Sequence, residues 1–341
     1  MSTNPWINIL KKIWRPGLAL VLLCILIIKG PFDFKQLEAS LKDPSIILIG
    51  LILIGLHFVA LSYRWRLFVN EYCYLGLPKA LQLTLIGQFF SFFIPGGVGG
   101  DVVKALELSK DLKVSRQNSL GTVTADRVLG LFSMIFFTAL SLIYVSTSHF
   151  NSENKTYLFY SISFLVVLVI GLYVGEKINL QLQKWLLQRN YKFSEKLIKI
   201  LNIFDQTFSK FKNPIFLIRL ILISLFVQLT SVTFMYYVVS KLYLNSLSFP
   251  LFFAISCFGY ILASIPITPS GIGIGQTAFY FLFVRIHPDL GKSAVIAISL
   301  LQLFYLFYAL IGGFLFTRNS KTLTQVKIHE EIQSYFTKTI A

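Results

Sequence analysis

Two short stretches rich in glycine and proline carry most of the residues in this chain that could do chemistry. The first reads PGGVGG at residues 95–100 and is followed by Asp101 and Lys104; the second reads PSGIGI at residues 269–274 and is followed by Gln276. Glycine permits backbone conformations that other residues avoid and proline ends a helix, so each stretch predicts a helix break. A helix that restarts at Asp101, or at Gln276, presents free N–H groups and the positive end of its dipole, which favour a phosphate or a carboxylate.

The candidate anion site therefore combines the residues of both breaks with the charges near them. These candidates are Pro95, Gly96, Gly97, Gly99, Gly100, Asp101, Lys104, Asp126, Arg127, Pro269, Ser270, Gly271, Gly273 and Gln276. Asp101 either caps the restarted helix or acts as a protonatable gate. Lys104, about one helical turn further on, either pairs with Asp101 or binds the phosphate. Asp126 and Arg127 form either an interfacial pair or a mobile pair that lines a cavity. The alternative for both breaks is helix packing and kinking alone.

Other kinds of site find little support in the sequence. No Lys-Ser/Thr pair follows the glycines and no strand precedes them, which excludes a P-loop. The three cysteines have unrelated spacings and predict neither a disulfide framework nor a metal site. The carboxylates around the first break are scattered, whereas hydrolytic and transfer enzymes generally need a cluster or a metal-binding set. We therefore predict no metal, no cofactor and no catalytic residue.

The composition places these stretches in a membrane. Of 341 residues, 55% are hydrophobic and 13% are charged, about half the charge fraction of a soluble protein. Apolar runs of about 15 to 25 residues recur, long enough to cross a hydrocarbon core of roughly 30 Å. The net charge of +16 is typical of loops that face anionic lipid, and we expect no nucleic acid partner. The sequence predicts an all-α polytopic membrane protein.

Basic residues mark cytoplasmic loops, and they place both termini of this chain in the cytoplasm of the inner (plasma) membrane. The first span imitates a signal peptide but lacks a cleavage site, so it is expected to be retained. The charges of the following loops are consistent only if two segments, 81–108 and 249–283, enter and leave the membrane on the same side as re-entrant hairpins. The predicted full spans are residues 16–29, 44–63, 121–147, 157–175, 215–240 and 293–317.

The two halves of this topology match, each with two spans, a broken hairpin and a third span. We divide the single membrane domain, 1–341, into a first half-repeat, 1–147, and a second half-repeat, 157–317. Because each half crosses three times, the second half is inverted. Inverted repeats with broken helices at matching positions are typical of transporter binding sites. A basic amphipathic insert at 176–213, which lies either on the anionic leaflet or against the bundle, and a tail at 318–341 are predicted to be cytoplasmic.

Polar residues within the spans leave two interpretations open. His57 is the lone ionisable residue of the second span and is either a buried, hydrogen-bonded neutral side chain or a proton relay. The fifth span carries a polar cluster whose members form hydrogen bonds between helices or contact a headgroup. The cluster consists of Gln228, Thr230, Ser231 and Thr233.

The ordered motifs resemble the lysylphosphatidylglycerol synthase transmembrane region, or flippase-like, family. The resemblance rests on Arg64-Trp65, FFIPGGVGGDVVK at 92–104, Asp126-Arg127 and PSGIG at 269–273, and it covers nearly the whole chain. It implies an integral inner-membrane protein that handles lipids. Relatives often carry a glycine and an acid where this chain has Ser270 and Gln276, which puts proton coupling through that acid in doubt. The soluble synthase domain of bifunctional relatives is not expected in the 24 residues after position 317.

The sequence and the resemblance together predict a flippase or transporter for an anionic phospholipid or a polyprenyl-phosphate-linked substrate, and not an enzyme. Anionic lipids are the expected partners. A homo-oligomer and a separate lipid-modifying enzyme remain open as further partners. The alternatives are a membrane-embedded glycosyl or phosphoryl transferase for lipid-linked substrates, and a non-transporting membrane subunit.

Overall fold

The computed structural model of the protein is all-helical in the part of the chain that it describes. The described residues are 33–93, 99–112, 114–148, 163, 181–182, 184–185, 213–243, 247–265 and 267–319. Nine long or medium helices and one short 3-10 turn, Pro269–Gly271, make up the continuous segments among them. The helices are α1 Phe34–Lys42, α2 Pro44–Val69, α3 Leu77–Phe93, α4 Gly99–Leu112, α5 Arg116–Ser148, α6 Pro214–Leu242, α7 Phe249–Ala263, α8 Ile274–Phe283 and α9 Pro288–Asn319.

Four of these helices, α2, α5, α6 and α9, are long and apolar enough to cross a membrane. They correspond to the predicted spans at 44–63, 121–147, 215–240 and 293–317, which are thereby confirmed as long apolar helices. The predicted spans 16–29 and 157–175 lie outside the described residues. So do most of the insert 176–213 and the tail beyond residue 319. The protein is a polytopic membrane protein.

Helices α2 and α6 begin in the same way, at an Asx-Pro pair. The side chain of Asp43 accepts a hydrogen bond from the backbone of Ser45, and that of Asn213 accepts bonds from Ile215 and Phe216. Proline fits the first helical turn because its missing N–H would have no partner there. The local sequence therefore fixes where each of these spans starts.

The two helices lie antiparallel against each other. At one end, Tyr63 near the end of α2 accepts a hydrogen bond from Arg219 near the start of α6. At the other end, Lys241 near the end of α6 donates to Asp43 before the start of α2, at 2.6 Å. Along α2, buried residues recur at intervals of four: Ile46, Gly50, Ile54, Phe58 and Ser62. This spacing places one face of the helix against the bundle and leaves the other for lipid.

The remaining helices form two broken pairs, each packed against a long helix. Helices α3 and α4 contact each other, and each of them packs against one of the long helices α5 and α9. Helices α7 and α8 also contact each other, and each of them packs against one of the same two long helices. In detail, α3 packs against α9 and α4 against α5, while α7 packs against α5 and α8 against α9. The largest buried hydrophobic cluster consists mainly of residues of α2, α6, α7, α8 and α9, with one residue each from α3 and α5. Each predicted hairpin therefore contains a pair of contacting helices, α3 with α4 and α7 with α8.

Candidate functional site

The first hairpin is held together by a close backbone approach. A methyl group added at Gly100 on α4 would overlap the carbonyl oxygen of Gly87 on α3 and the hydroxyl of Ser91. Only glycine allows two helix backbones to come this near. Gly99 and Gly100 begin α4 and are buried. The predicted site residues Pro95, Gly96 and Gly97 lie outside the described residues.

Four residues form a buried polar group beside this hairpin, which we call the Lys104 cluster: Arg64, Trp65, Lys104 and Asp126. Arg64, Lys104 and Asp126 are only 4%, 6% and 8% exposed, and Trp65 is fully buried. They come from three different helices, α2, α4 and α5. Charged side chains are rarely this buried unless they are paired or functional.

Arg64 and Asp126 form the ion pair of the cluster. The Nε of Arg64 donates to the Oδ1 of Asp126 at 2.7 Å, and a terminal nitrogen donates to the backbone oxygen of Asp126 at 3.3 Å. The other terminal nitrogen donates to the Oγ of Ser224 on α6 at 3.0 Å. The guanidinium thus links α2, α5 and α6, and its charge is balanced by one carboxylate.

Lys104 has a different environment. Its ammonium lies 3.8 Å from the ring centroid of Trp65, a cation–π contact. The Trp65 indole is itself oriented by a hydrogen bond to Thr122, at 3.3 Å. Among the described residues no carboxylate lies within salt-bridge distance of Lys104. Arg64 and Asp126 are close enough for their charges to act on it. The cluster therefore holds two cations and one anion.

A second ion pair adjoins the cluster on its more exposed side. Asp101 in the first turn of α4 pairs with Arg127 on α5, and their side chains are 24% and 45% exposed. The structure therefore corrects two pairings considered from the sequence. Asp126 and Arg127 do not pair with each other, because successive residues on a helix point in different directions. Asp101 pairs with Arg127 and not with Lys104, which turns toward the Trp65 ring.

The second hairpin break has the predicted backbone conformation. Gly271 and Gly273 have φ angles of 70° and 85°, in the region that favours glycine, and Ser270 has a φ of 48°. The hydroxyls of Ser270 and Thr268 are buried without a hydrogen-bond partner among the described residues. The turn Pro269–Gly271 contacts α3, so the second break lies against an arm of the first hairpin.

Gln276 caps the restarted helix of the second hairpin. Helix α8 begins at Ile274, two residues before the predicted restart, and the Oε1 of Gln276 accepts a hydrogen bond from the N–H of Gly273 at 2.8 Å. Its Nε2 donates to Gln302 at 2.6 Å and to Ser299 at 3.3 Å. This network is neutral, whereas the hairpin of the first half lies beside charged residues.

The polar residues of the spans α2 and α6 meet at a third place. The Nδ1 of His57 lies 2.8 Å from the Ser231 hydroxyl and 3.2 Å from the carbonyl oxygen of Val227. Its Nε2 lies 3.3 Å from the hydroxyl of Tyr305 on α9. His57 is thus hydrogen-bonded between three helices, as one of the two sequence interpretations requires. Of the predicted polar cluster, Gln228, Thr230 and Ser231 are buried, but Thr233 is exposed and does not face the bundle.

Comparison with known proteins identifies the family. The model of the lysylphosphatidylglycerol synthase TM region matches residues 16–312. The chain belongs to this family. It is 23% identical to a UPF0104 membrane protein of Pyrococcus horikoshii over 82% of this chain and 89% of that protein. It is 28% identical to a UPF0104 membrane protein of Methanocaldococcus jannaschii over 67% of this chain and 93% of the relative. A third, from Methanothermobacter thermautotrophicus, is 22% identical over 82% and 88% of the two chains.

Three of the four motifs that suggested the lysylphosphatidylglycerol synthase TM-region family from the sequence meet in space, whereas the fourth, PSGIG at 269–273, lies in the second hairpin, where its turn contacts α3. Arg64-Trp65, Asp126-Arg127 and the segment with Asp101 and Lys104 all contribute to the Lys104 cluster or to the ion pair beside it. Sequence reasoning did not include Arg64 and Trp65 among the candidate site residues. The sequence feature that could have identified them is an arginine followed by a tryptophan at the end of an apolar span. Residues of these types at a span end usually lie at the membrane interface, and so they were not assigned to the site.

Proposed function

We propose that this protein moves an anionic lipid headgroup across the cell's inner membrane, with the Lys104 cluster as the site that first holds the phosphate. The substrate class is a phospholipid or a polyprenyl-phosphate-linked lipid, and the protein performs no chemical step on it. The observation that carries the proposal is the surplus of buried positive charge. Two cations and one carboxylate share a site in which an unbalanced charge is costly.

A phosphate would balance this surplus. Lys104 is a flexible ammonium suited to phosphate as a point charge, and its contact with the Trp65 ring holds it within the cluster without neutralising it. Helix α4 begins at Gly99, so the backbone N–H groups of its first turn lie close to Lys104 in the chain. Asp101 and Arg127 are more exposed and lie beside the cluster, where Arg127 offers a third cation when their pair opens.

The helix contacts support the hypothesis of an inverted repeat. If α2 corresponds to α6, α3 to α7, α4 to α8 and α5 to α9, then each contact among these eight helices has a counterpart when the halves are exchanged. The packing of α3 on α9 corresponds to that of α7 on α5. Because α2 and α6 are antiparallel, the exchange also inverts the chain direction across the membrane. We propose six full spans and two re-entrant hairpins, with both termini cytoplasmic.

Alternating access follows from this arrangement. The two halves share the α2–α6 contact, which is bonded at both ends by Tyr63–Arg219 and Asp43–Lys241. We propose that each half moves as a unit about this pair, so that the hairpins face first one side of the membrane and then the other. The acyl chains stay in the lipid while the headgroup passes between the hairpins.

The proposal is tested by leaflet-resolved lipid analysis in cells. Cells that lack the gene should accumulate one anionic lipid on a single face of the membrane, and the wild-type gene should restore its distribution. A Lys104→Met gene should fail to restore it, whereas Lys110→Met, which changes an exposed lysine of the same helix, should succeed. An unchanged lipid distribution in deletion cells would contradict the proposal, and so would full restoration by Lys104→Met. Consumption of a donor substrate by the purified protein, with no lipid changing leaflet, would indicate an enzyme.

A further inference from the structure

A groove of about 380 Å³ runs along the outer surface of the bundle where α2 and α6 meet. Its lining is almost entirely apolar and includes Leu56, Val59 and Tyr63 of α2, Leu77 of α3, and Leu222 and Phe226 of α6. Leu222 is 60% exposed and Phe226 is 46% exposed, so the groove opens outward. In a membrane protein, an apolar outward face contacts lipid chains.

One end of this groove is basic. The guanidinium groups of Arg66 and Arg219 lie 5.7 Å and 5.4 Å from the ring centroid of Tyr63, and Arg219 also donates to the Tyr63 hydroxyl. The Nε of Arg66 is buried and has no hydrogen-bond partner among the described residues. A buried donor without a partner is costly, and it shows that this end of the groove is short of hydrogen-bond acceptors.

The charge pattern identifies the occupant. From Leu56 to Tyr63 the groove extends about 10 Å along the helix, since each residue advances about 1.5 Å. An acyl chain fits such an apolar channel, and two arginines at its end match a phosphate, to which guanidinium donors bind strongly. We propose that this groove is a binding site for one anionic phospholipid, with an acyl chain against Leu56 and Phe226 and the phosphate between Arg66 and Arg219.

This lipid site is separate from the Lys104 cluster and does not rest on the proposed function. Ile223 lines the groove, while the next residue, Ser224, is fully buried and accepts the hydrogen bond from Arg64. The groove and the cluster therefore lie on different sides of the α2–α6 contact. A lipid held in the groove would brace that contact at the end that we expect to be cytoplasmic, without itself being transported.

The test counts lipids that remain on the full-length protein. The protein is placed in nanodiscs of equimolar phosphatidylglycerol and phosphatidylcholine, extracted into mild detergent and examined by native mass spectrometry. We expect one phosphatidylglycerol to be retained in the groove in preference to phosphatidylcholine. The double variant Arg66→Gln/Arg219→Gln should bind it about 30-fold more weakly, because each interfacial basic residue contributes about a fivefold factor. Lys110→Gln removes an exposed cation away from the groove and should leave retention unchanged.

Two further variants make the outcome specific. Val59→Trp fills the groove and should abolish retention with both arginines in place. Lys104→Met should leave this lipid bound, even if it removes another from the Lys104 cluster. Should the double variant not fold, as judged by gel filtration, Arg219→Gln alone is used, with an expected loss of about fivefold. Equal retention by wild type and the arginine variants would overturn the proposal, as would equal retention of phosphatidylcholine or an equal loss with Lys110→Gln.

Discussion

Replacement of Asp126 by asparagine removes the only described carboxylate of the Lys104 cluster and keeps the shape of the side chain. Arg64 and Lys104 are then two buried cations without a compensating charge. Breaking a buried ion pair by removing one partner typically costs about 3–5 kcal/mol. The asparagine oxygen can still accept the bond from Arg64, as can Ser224. We therefore expect a loss near the lower end, about 3 kcal/mol in the free energy of unfolding.

The assay is reversible unfolding in mixed micelles at increasing mole fraction of dodecyl sulfate. A double-mutant cycle isolates the pair: Arg64→Gln/Asp126→Asn removes both charges and should be less destabilised than the sum of the single variants. The matched control is Asp111→Asn, which breaks the surface ion pair between Asp111 and Lys79. The side chain of Lys79 is 33% exposed and that of Asp111 is 36% exposed. Partners so open to solvent contribute about 0–1 kcal/mol.

Two outcomes would refute this reasoning. One is an Asp126→Asn variant as stable as the Asp111→Asn control. The other is strict additivity in the cycle, because independent effects would mean that Arg64 and Asp126 do not form a buried pair. Addition of phosphatidylglycerol should not further destabilise the Asp126→Asn variant or the Asp111→Asn control, since a bound phosphate supplies negative charge to the cluster.

Three more predictions concern the hairpins and the α2–α6 contact. Gly100→Ala should destabilise the protein by about 1–3 kcal/mol in the same unfolding assay, because its methyl group overlaps the Gly87 carbonyl; an unchanged stability would show that the hairpin arms are further apart. Ser270→Gly should raise stability by up to about 1 kcal/mol, since glycine adopts the φ of 48° without strain; a loss would mean that the serine hydroxyl is needed. The hydrogen bond from Lys241, with a smaller effect of Ser45, lowers the pKa of Asp43 below its ordinary value of 3.8. The ionised Asp43 therefore contributes to the stability of the folded protein above pH 3.8, and this contribution is lost on further acidification. A pH series of melting midpoints should therefore show a smaller acid-induced loss for Asp43→Asn, and parallel curves would contradict the ion pair.

The long spans could be predicted from the sequence because their signals are local. Apolar runs gave the positions of α2, α5, α6 and α9. The structure extends α2 from the predicted end at residue 63 to Val69, because the apolar criterion stops at the charged YRWR segment whereas the helix continues with Trp65, Phe68 and Val69 buried. The starts of α2 and α6 agree within one residue, since Asp43 and Asn213 cap them.

The partners within the candidate site could not be predicted in the same way. Asp126 pairs with a residue 62 positions away, and a pairing of that kind depends on how α2 packs against α5. Spacing along the chain favoured Lys104, one helical turn away, as the partner of Asp101, and the pairing with Arg127 depends on how α4 packs against α5. The capping role of Gln276 could not be predicted either. The sequence placed the start of the helix at Gln276, whereas the helix begins two residues earlier, at Ile274.

Transport by reconstituted protein tests the central claim most directly. Proteoliposomes that carry a trace of fluorescent phosphatidylglycerol are prepared with wild-type protein, with Lys104→Met and with Lys110→Met, and the label reaching the outer leaflet is followed by quenching from outside. A hydrogen bond to a charged group contributes about 1.5–3 kcal/mol, so Lys104→Met should slow the movement of this lipid by about 10-fold or more, with Lys110→Met equal to wild type. Movement at the wild-type rate in Lys104→Met vesicles, or wild-type vesicles no faster than protein-free ones, would contradict the account.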